Sequence, residues 1–235
     1  MGFYALIGYL KSIEERIDLY TEISGSSAGS ILTGLLGMGF DINQIMDMAF
    51  SVDTKRFINS FSIKNILTNY GGMRTSDIRQ IFIDMAGSDP KLKDLKKKIY
   101  ISSYNLQYSR IEYFSRDTYP DMHLSDAIFK SISIPFMFES SDMYIDAGLH
   151  EELPLGPFIN RSPDDVHIVQ LVFEDSHEEI SGLLDFSARV IVSMFNNRHK
   201  YTMFNNRKLI KVTIQECFNF NMGTDEKIKL YAKGF

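Results

Sequence analysis

Five residues, Gly25-Ser26-Ser27-Ala28-Gly29, restrict the possible folds of this chain more than any other stretch. They stand between a short apolar run, Leu19 to Ile23, and a segment carrying Ile31, Leu32, Leu35 and Met38 at helical spacing. A strand that turns at once into a helix crowds two backbones together, so the turn must be built from small residues. Such a junction belongs to the α/β class. The Gly25-x-Ser27-x-Gly29 spacing is that of a nucleophile elbow, with Ser27 exposed at the bend. Ser27 then sits at the N-terminus of the helix, where the macrodipole favours a developing negative charge. The amide of Ala28 is placed to donate to an oxyanion. The bland alternative is an ordinary Gly-Ser turn.

The rest of the chain alternates strand-like and helix-like stretches. Phe3, Leu6, Ile7, Leu10 and Ile13 predict an amphipathic helix over 3–15. Further helices are predicted over 43–50 and 76–86, the second capped by Thr75 or Ser76 and ended by Gly87. Residues 99–105 and 110–114 read as adjacent strands. A helix over 126–133 must stop before Pro135, and a strand over 143–145 delivers Asp146 at its carboxyl end. The near-continuous apolar run 166–173 predicts a strand buried on both faces. A long helix over 181–205, a strand over 209–214 and a helix starting at Thr224 complete the chain. Gly71-Gly72-Met73-Arg74 reads as the turn into helix 76–86. Met194 to Arg198 recurs as Met203 to Arg207, but the two copies face opposite sides of a helix, so the echo is taken as coincidence. The expected fold is α/β, a helix-covered mixed or parallel sheet in three layers, and residues 1–235 form one domain because no linker interrupts them.

Composition excludes several functions. With 44% hydrophobic residues the chain has ample material for a core. A formal net charge of −5 argues against a nucleic-acid partner, which needs a basic field. Cys217 is the only cysteine, so no intrachain disulfide forms and a reducing, cytoplasmic setting fits best. No His/Glu cluster has ligand spacing, and the reading calls for no metal and no cofactor. No run is apolar for the length of a membrane span. The opening residues lack the basic leader of a signal peptide, and Leu6 stands where a myristoylation motif wants Ser or Thr. The lysines 91, 93, 96, 97 and 98 suit either an anionic membrane surface or a solvated approach to the strand at Ile99, and the second reading is favoured.

A second candidate site is Tyr144-Ile145-Asp146-Ala147-Gly148, in which a strand ends on an acid followed by two small residues. Taken alone, Asp-Ala-Gly after a strand is more often a plain turn. Four stretches together, however, resemble the patatin-like phospholipases, the compact viral members most of all. Gly2-Phe3-Tyr4 leading into Leu10 to Glu15 is similar to that family's first helix, and Gly25 to Ser30 to its elbow. Asp126-Ala127-Ile128 through Ser131-Ile132-Ser133-Ile134-Pro135-Phe136 resembles its Ser-x-Ser-x-Pro segment, and Asp146-Ala147-Gly148-Leu149 with Pro154 its acid motif. The resemblance implies a Ser-Asp dyad that uses neither histidine nor metal. Ser27 attacks an acyl ester, Asp146 accepts its proton, and water cleaves the acyl-enzyme. Ala147 and Gly148 support the acid. The implied substrate is a phospholipid or other acyl lipid, met through transient contact with a membrane surface.

The same resemblance implies a strand and a Gly-Gly-Gly oxyanion loop ahead of the first helix, of which Gly2 would be the last glycine, and a helix continuing past Phe235. The chain thus reads as a domain shortened at both ends, and a catalytically impaired lipid-binding protein stands as an alternative. Gly71-Gly72 imitates the glycine loop and is a minor oxyanion candidate. A Ser-His-Asp α/β-hydrolase is a further alternative, with His150, His167, His177 and His199 after the acid, although only 26 residues precede Ser27. Phe57, Phe61, Phe136, Met137, Phe138 and Leu149 are candidates for either an acyl channel or ordinary core.

Overall fold

The computed structural model describes residues 1–56, 61–140, 142–174, 179–180, 182–195 and 204–235. The predicted first helix is present as α1 (Phe3–Ser12), broken at Ile13 from a single turn, α2 (Glu14–Ile17). Strand β1 (Glu22–Gly25) lies closer to the elbow than predicted and passes directly into α3 (Ala28–Met38), which Gly39 ends in a left-handed conformation at φ 92°. Helix α4 (Ile42–Ser51) follows, opened by a capping box between Asp41 and Gln44. After α5 (Ile63–Asn69) the chain forms β2 (Gly71–Met73) and α6 (Thr75–Ala86). The Gly71-Gly72 segment is therefore a strand and not the predicted turn. It pairs in parallel with β5 (Phe136–Phe138), and a Cβ at Gly71 would lie 2.1 Å from the Phe138 backbone. The start of α6 has no side-chain cap of its own. Glu139 accepts from the Thr75 amide instead, at 3.3 Å.

Strands β3 (Lys98–Asn105) and β4 (Arg110–Phe114) form the expected hairpin. Helix α7 (Leu124–Ile132) leads to β5, β6 (Tyr144–Asp146) and a 3₁₀ turn over Ala147–Leu149. Later come β7 (Ile168–Phe173), α8 (Gly182–Phe195), β8 (Arg207–Val212), α9 (Ile214–Phe218) and α10 (Thr224–Gly234). The rest of the predicted helix over 181–205, with most of the Met-Phe-Asn-Asn-Arg echo, lies outside the described residues.

The register around β3 organises the sheet. Along one edge β3 pairs with antiparallel β4, Ile101 opposite Phe114 and Asn105 opposite Arg110. The other edge is shared. Its first half takes β1 in parallel, with Gly25 opposite Ile101, and its second half takes β6 antiparallel, with Asp146 opposite Ser103. Helices α1, α3, α4 and α7 pack with β3 and β4 into the main core, where Tyr4, Ile7, Leu35, Ile99, Ile101, Phe114, Leu124 and Ile128 are almost wholly buried. Each such side chain contributes about 1.5–3 kcal/mol.

Strands β7 and β8 pair with each other in parallel, apart from this sheet. A slot of about 340 Å³ runs between β1 and β7, walled by both strands, by Leu6 of α1 and by Leu32 of α3. Strand β7 is accordingly not buried on both faces as predicted. Ile168 and Gln170 are buried, whereas Val169, Leu171, Val172 and Phe173 border the slot and are half-buried. The lysine run is largely neutralised: Lys91 and Lys93 share Asp121, Lys97 pairs with Asp18 at 3.0 Å and Lys98 with Asp117 at 2.6 Å. Among the described residues no helix is long and apolar enough to cross a membrane.

Helices α1 and α10 meet through two glycines. A Cβ at Gly8 would stand 2.0 Å from the carbonyl oxygen of Tyr231, and one at Gly234 would stand 1.8 Å from that of Ala5. Both obstacles are helix backbone, which cannot swing aside as a side chain would. Gly8→Ala should therefore cost about 3 kcal/mol, lowering Tm by roughly 6–12 °C for a domain of this size. An unchanged Tm in thermal denaturation would show that the two helices do not approach this closely.

Candidate active site

Ser27 is held at the bend between β1 and α3 with φ 52° and ψ −128°. That positive φ places a β-carbon-bearing residue in a sparsely populated region, at a cost of about 1–3 kcal/mol. Two contacts fix it there. The Ser27 amide donates to Ser131 Oγ of α7 at 3.0 Å, and the Ser27 carbonyl accepts from Ser30 Oγ at 2.6 Å. Gly25 is required by space, because a Cβ there would lie 2.3 Å from Thr33 Oγ1 and 2.5 Å from the Gly29 carbonyl oxygen. Gly29, expected to be small for the same reason, has nothing within 4 Å of the position its Cβ would take. Ala28 opens α3, and its amide, like other first-turn amides, has no partner inside the helix.

Asp146 arrives from the other direction. Strand β6 ends at Asp146 on the same edge of β3 that carries β1, so the two carboxyl ends meet over Ile101 and Ser103. Two residues of strand correspond to about 7 Å, and the turn at Ser26-Ser27 bridges that gap. The Asp146 amide donates to the Ser133 carbonyl at 3.0 Å, which ties the acid to the end of α7. Its Oδ1 accepts from the Gly148 amide at 2.9 Å. Ala147 and Gly148 are both buried, and Asp146 itself is 0% exposed. Burial pushes its carboxyl from 3.8 up to about 6, against the opposing pull of the Ser27 side chain, the Gly148 amide and the Ser26 side chain. Asp146 Oδ2 and Ser26 Oγ have no hydrogen-bond partner among the described residues. The carboxylate is thus dry, faces the Ser27 side chain and retains an open acceptor.

Two cavities meet at Ser27. One is the slot beside β1, which also contains Gly148 and Gly2. The Gly2 amide is directed at Cys217, and a Cβ on Gly2 would collide with Leu171 at 2.5 Å. The other cavity, of about 150 Å³, is walled almost entirely by apolar side chains, from α1, α3, α6, α7 and α9 and from the segments between them. Of the proposed channel residues only Phe138 lines it. Met137 and Leu149 belong to the same core cluster as Phe138, with Phe61 packed against it, but do not reach the cavity. Phe136 is 55% exposed, and Phe57 lies outside the described residues. Gly71 and Gly72 border neither cavity, because β2 holds them against β5. The walls that composition did not single out are Ile78, Ile81 and Met85 of α6 with Ile128 and Ile132 of α7. Their spacing of three and four residues was the available signal.

Described histidines stay away from Ser27. His150 stacks on Tyr104 with ring centroids 3.5 Å apart, and His123 contacts the Asp89 carbonyl through Nδ1 at 2.9 Å. His167 Nε2 meets Tyr9 OH at 2.6 Å, and burial holds its pKa below the ordinary value. His177 and His199 lie outside the described residues. Among the described residues no group of three His, Cys, Asp or Glu converges as a metal site.

With this geometry established, comparison with known proteins gives a consistent result. The family model for patatin-like phospholipase matches residues 1–159. Uncharacterized protein R571 of Acanthamoeba polyphaga mimivirus is 29% identical over 204 aligned positions, which cover 78% of this chain and 66% of that protein. A protein named probable lipid hydrolase 463L, from Invertebrate iridescent virus 6, is 24% identical over 257 positions, covering 99% of this chain and 85% of that one. Among solved structures, VipD from Legionella pneumophila superposes with a TM-score of 0.59 at 15% identity, over 99% of this chain and 63% of VipD. The type III effector ExoU superposes at 0.50 and 14%, over 99% and 49%. The chain thus spans somewhat less than two thirds of the mimivirus protein and of VipD, and about half of ExoU. The fold is the mixed α/β fold of these two structures.

Two consequences can be measured. Gly25→Ala should destabilise by about 3 kcal/mol, whereas Gly29→Ala should be neutral or gain up to about 1 kcal/mol from helix propensity. Equal effects in denaturant titrations would contradict the crowding at Gly25 alone. The second concerns Asp146. Its folded pKa is raised, so the stability it contributes is present below about pH 4 and is lost as pH rises through about 6. Asp146→Asn should hence stabilise the protein at pH 8 by up to about 3 kcal/mol relative to its effect at pH 4. A stability difference independent of pH would mean that the carboxyl ionises in its ordinary range.

Proposed function

Because the chain belongs to the patatin-like phospholipase family, we propose that it is a lipid acyl hydrolase in which Ser27 is the nucleophile and Asp146 its base. The observation that carries this reading is the meeting of a strained serine, which lines an apolar cavity, with a buried carboxylate. A serine hydroxyl is a weak nucleophile and needs a base in reach. An aspartate at its ordinary pKa is a poor one, whereas one raised to about 6 is a stronger acceptor and still ionised at neutral pH.

In the proposed reaction Ser27 Oγ attacks the ester carbonyl carbon while its proton passes to Asp146. The negative charge on the carbonyl oxygen is held by the Ala28 amide at the N-terminus of α3. The tetrahedral intermediate collapses, the C–O bond to the alcohol breaks, and Asp146 returns the proton to the leaving oxygen. Water then attacks the acyl-Ser27 ester, giving its proton to Asp146, and collapse releases the fatty acid and regenerates the hydroxyl. The substrates in this reading are phospholipids or other acyl lipids, reached by transient contact with a lipid surface from a cytoplasmic location. The name carried by the iridescent virus protein supports the same class of reaction.

The test is chemical. A fluorophosphonate should modify Ser27 and no other serine, as read by peptide mapping. Ser27→Ala and Asp146→Asn should each lower kcat on a soluble ester by at least about 10³-fold. The wild-type kcat/KM should rise with pH and level off above about 6, since the base must be ionised. Labelling elsewhere with Ser27 untouched, or full activity in Asp146→Asn, would overturn the assignment.

A further inference from the structure

The apolar cavity at Ser27 has a measurable depth, and depth limits the substrate. Helices α6 and α7 run antiparallel along it. The last turn of α7 is at the serine, where Ser131 Oγ receives the Ser27 amide. The first turn of α7 is at the far end, where Asp89, just beyond α6, accepts from both the amide and the hydroxyl of Ser125. Ile78 of α6 and Ile132 of α7 therefore stand near the serine, whereas Met85 and Ile128 stand away from it. From Ile78 to Met85 is seven residues of helix, about 10 Å. An extended chain advances about 1.2 Å per skeletal bond, as the reach of an extended polypeptide shows, so 10 Å accommodates about eight. Volume gives a similar figure. The cavity holds about 150 Å³, and a dry cavity of that size lined by aliphatic and aromatic side chains takes up benzene, six carbons.

We infer that this cavity is an acyl site matched to a chain of about six to eight carbons, and that carbons beyond Met85 gain no further burial. The inference rests on the reading of Ser27 as the acylated residue. The slot between β1 and β7 also reaches Ser27, but it does not suit an alkyl chain. Its walls include the edges of two strands, and a hydrocarbon laid against backbone N–H and C=O groups that lack partners would strip them of water. Among the described residues that line the apolar cavity, the only buried side-chain polar atom without a partner is the Thr54 hydroxyl.

The experiment is a series of p-nitrophenyl esters from acetate to palmitate. Each buried methylene is worth about 0.8 kcal/mol, so kcat/KM should climb by about fourfold per carbon from acetate to octanoate and then stay level or fall. Met85→Ala should lower the octanoate-to-butyrate ratio at least about fourfold, and Ile128→Phe should lower it further by filling the cavity. Ratios within one variant are insensitive to how much of that variant is folded. A rate that keeps climbing through laurate and palmitate, or a ratio unmoved by both substitutions, would overturn the inference. Binding of the free fatty acids to the Ser27→Ala protein separates the two proposals. If no ester is turned over but Kd falls about fourfold per carbon and levels off at eight, the cavity assignment holds and the hydrolase assignment fails. If Kd shows no such limit, the cavity assignment fails.

Discussion

The structure turns on the edge that β3 shares between two strands. A β-strand offers one row of donors and acceptors on each side, and normally a single neighbour occupies each row. Here β1 uses the first half of one row and β6 the second half, from opposite directions, so their carboxyl ends face each other. Side-chain functions separated by more than a hundred residues are thereby brought within two strand positions. Neither helix dipole nor cavity would matter without that register. A slip of one residue in the β3–β6 pairing would turn Asp146 to the other face of the sheet, and a slip in the β1–β3 pairing would do the same to the residues that lead into the elbow.

Around this junction the protein concentrates two costs. Ser27 keeps a positive φ, and Asp146 keeps its charge out of water. Both are sustained by α7, whose Ser131 hydroxyl takes the Ser27 amide and whose terminal Ser133 carbonyl takes the Asp146 amide. Helix α7 is anchored in turn at its far end by Asp89 on Ser125 and by Arg79 on Asp126 at 2.7 Å. Strain and desolvation of this kind persist only where the surrounding structure over-determines them. The serines of the Ser131-Ile132-Ser133 stretch thus hold the Ser27 and Asp146 backbones from behind.

The sequence made the elbow legible because its requirement is local. Gly25 must be small for reasons found within eight residues, at Thr33 and Gly29. Asp146 was different. Its strand and its small neighbours could be read, but nothing local shows that it lies beside the elbow, and the register that brings it there is a property of β3. The Gly71-Gly72 strand escaped for a related reason. Three residues with two glycines carry no β propensity, and the segment is a strand only because Phe138 closes over it. The residues read as either acyl channel or ordinary core show the same limit. Phe136, Met137 and Phe138 form one aromatic-rich run, yet one is exposed, one is buried elsewhere and one lines the cavity. Much of the cavity wall comes from the inner face of α6, whose helical periodicity is plain in the sequence while its neighbour is not.

The apolar cavity and the raised carboxyl have a common origin. Ile31, Ile132 and Ile134 line the cavity around Ser27, and Ile145, Ala147 and Leu149 are buried beside the acid. Such side chains exclude water, and excluding water makes a hydrocarbon chain comfortable and a carboxylate uncomfortable at the same time. An apolar surface next to Asp146 therefore raises its carboxyl pKa with no additional charged group. This suits a chain whose described residues supply no histidine at Ser27. A histidine needs a third group to orient its ring and hold the right tautomer, whereas a carboxylate fixed by the Gly148 amide needs only to be kept dry. The cost is that the ionised acid works against the fold, which is why the helix that frames the site is tied down at both of its ends.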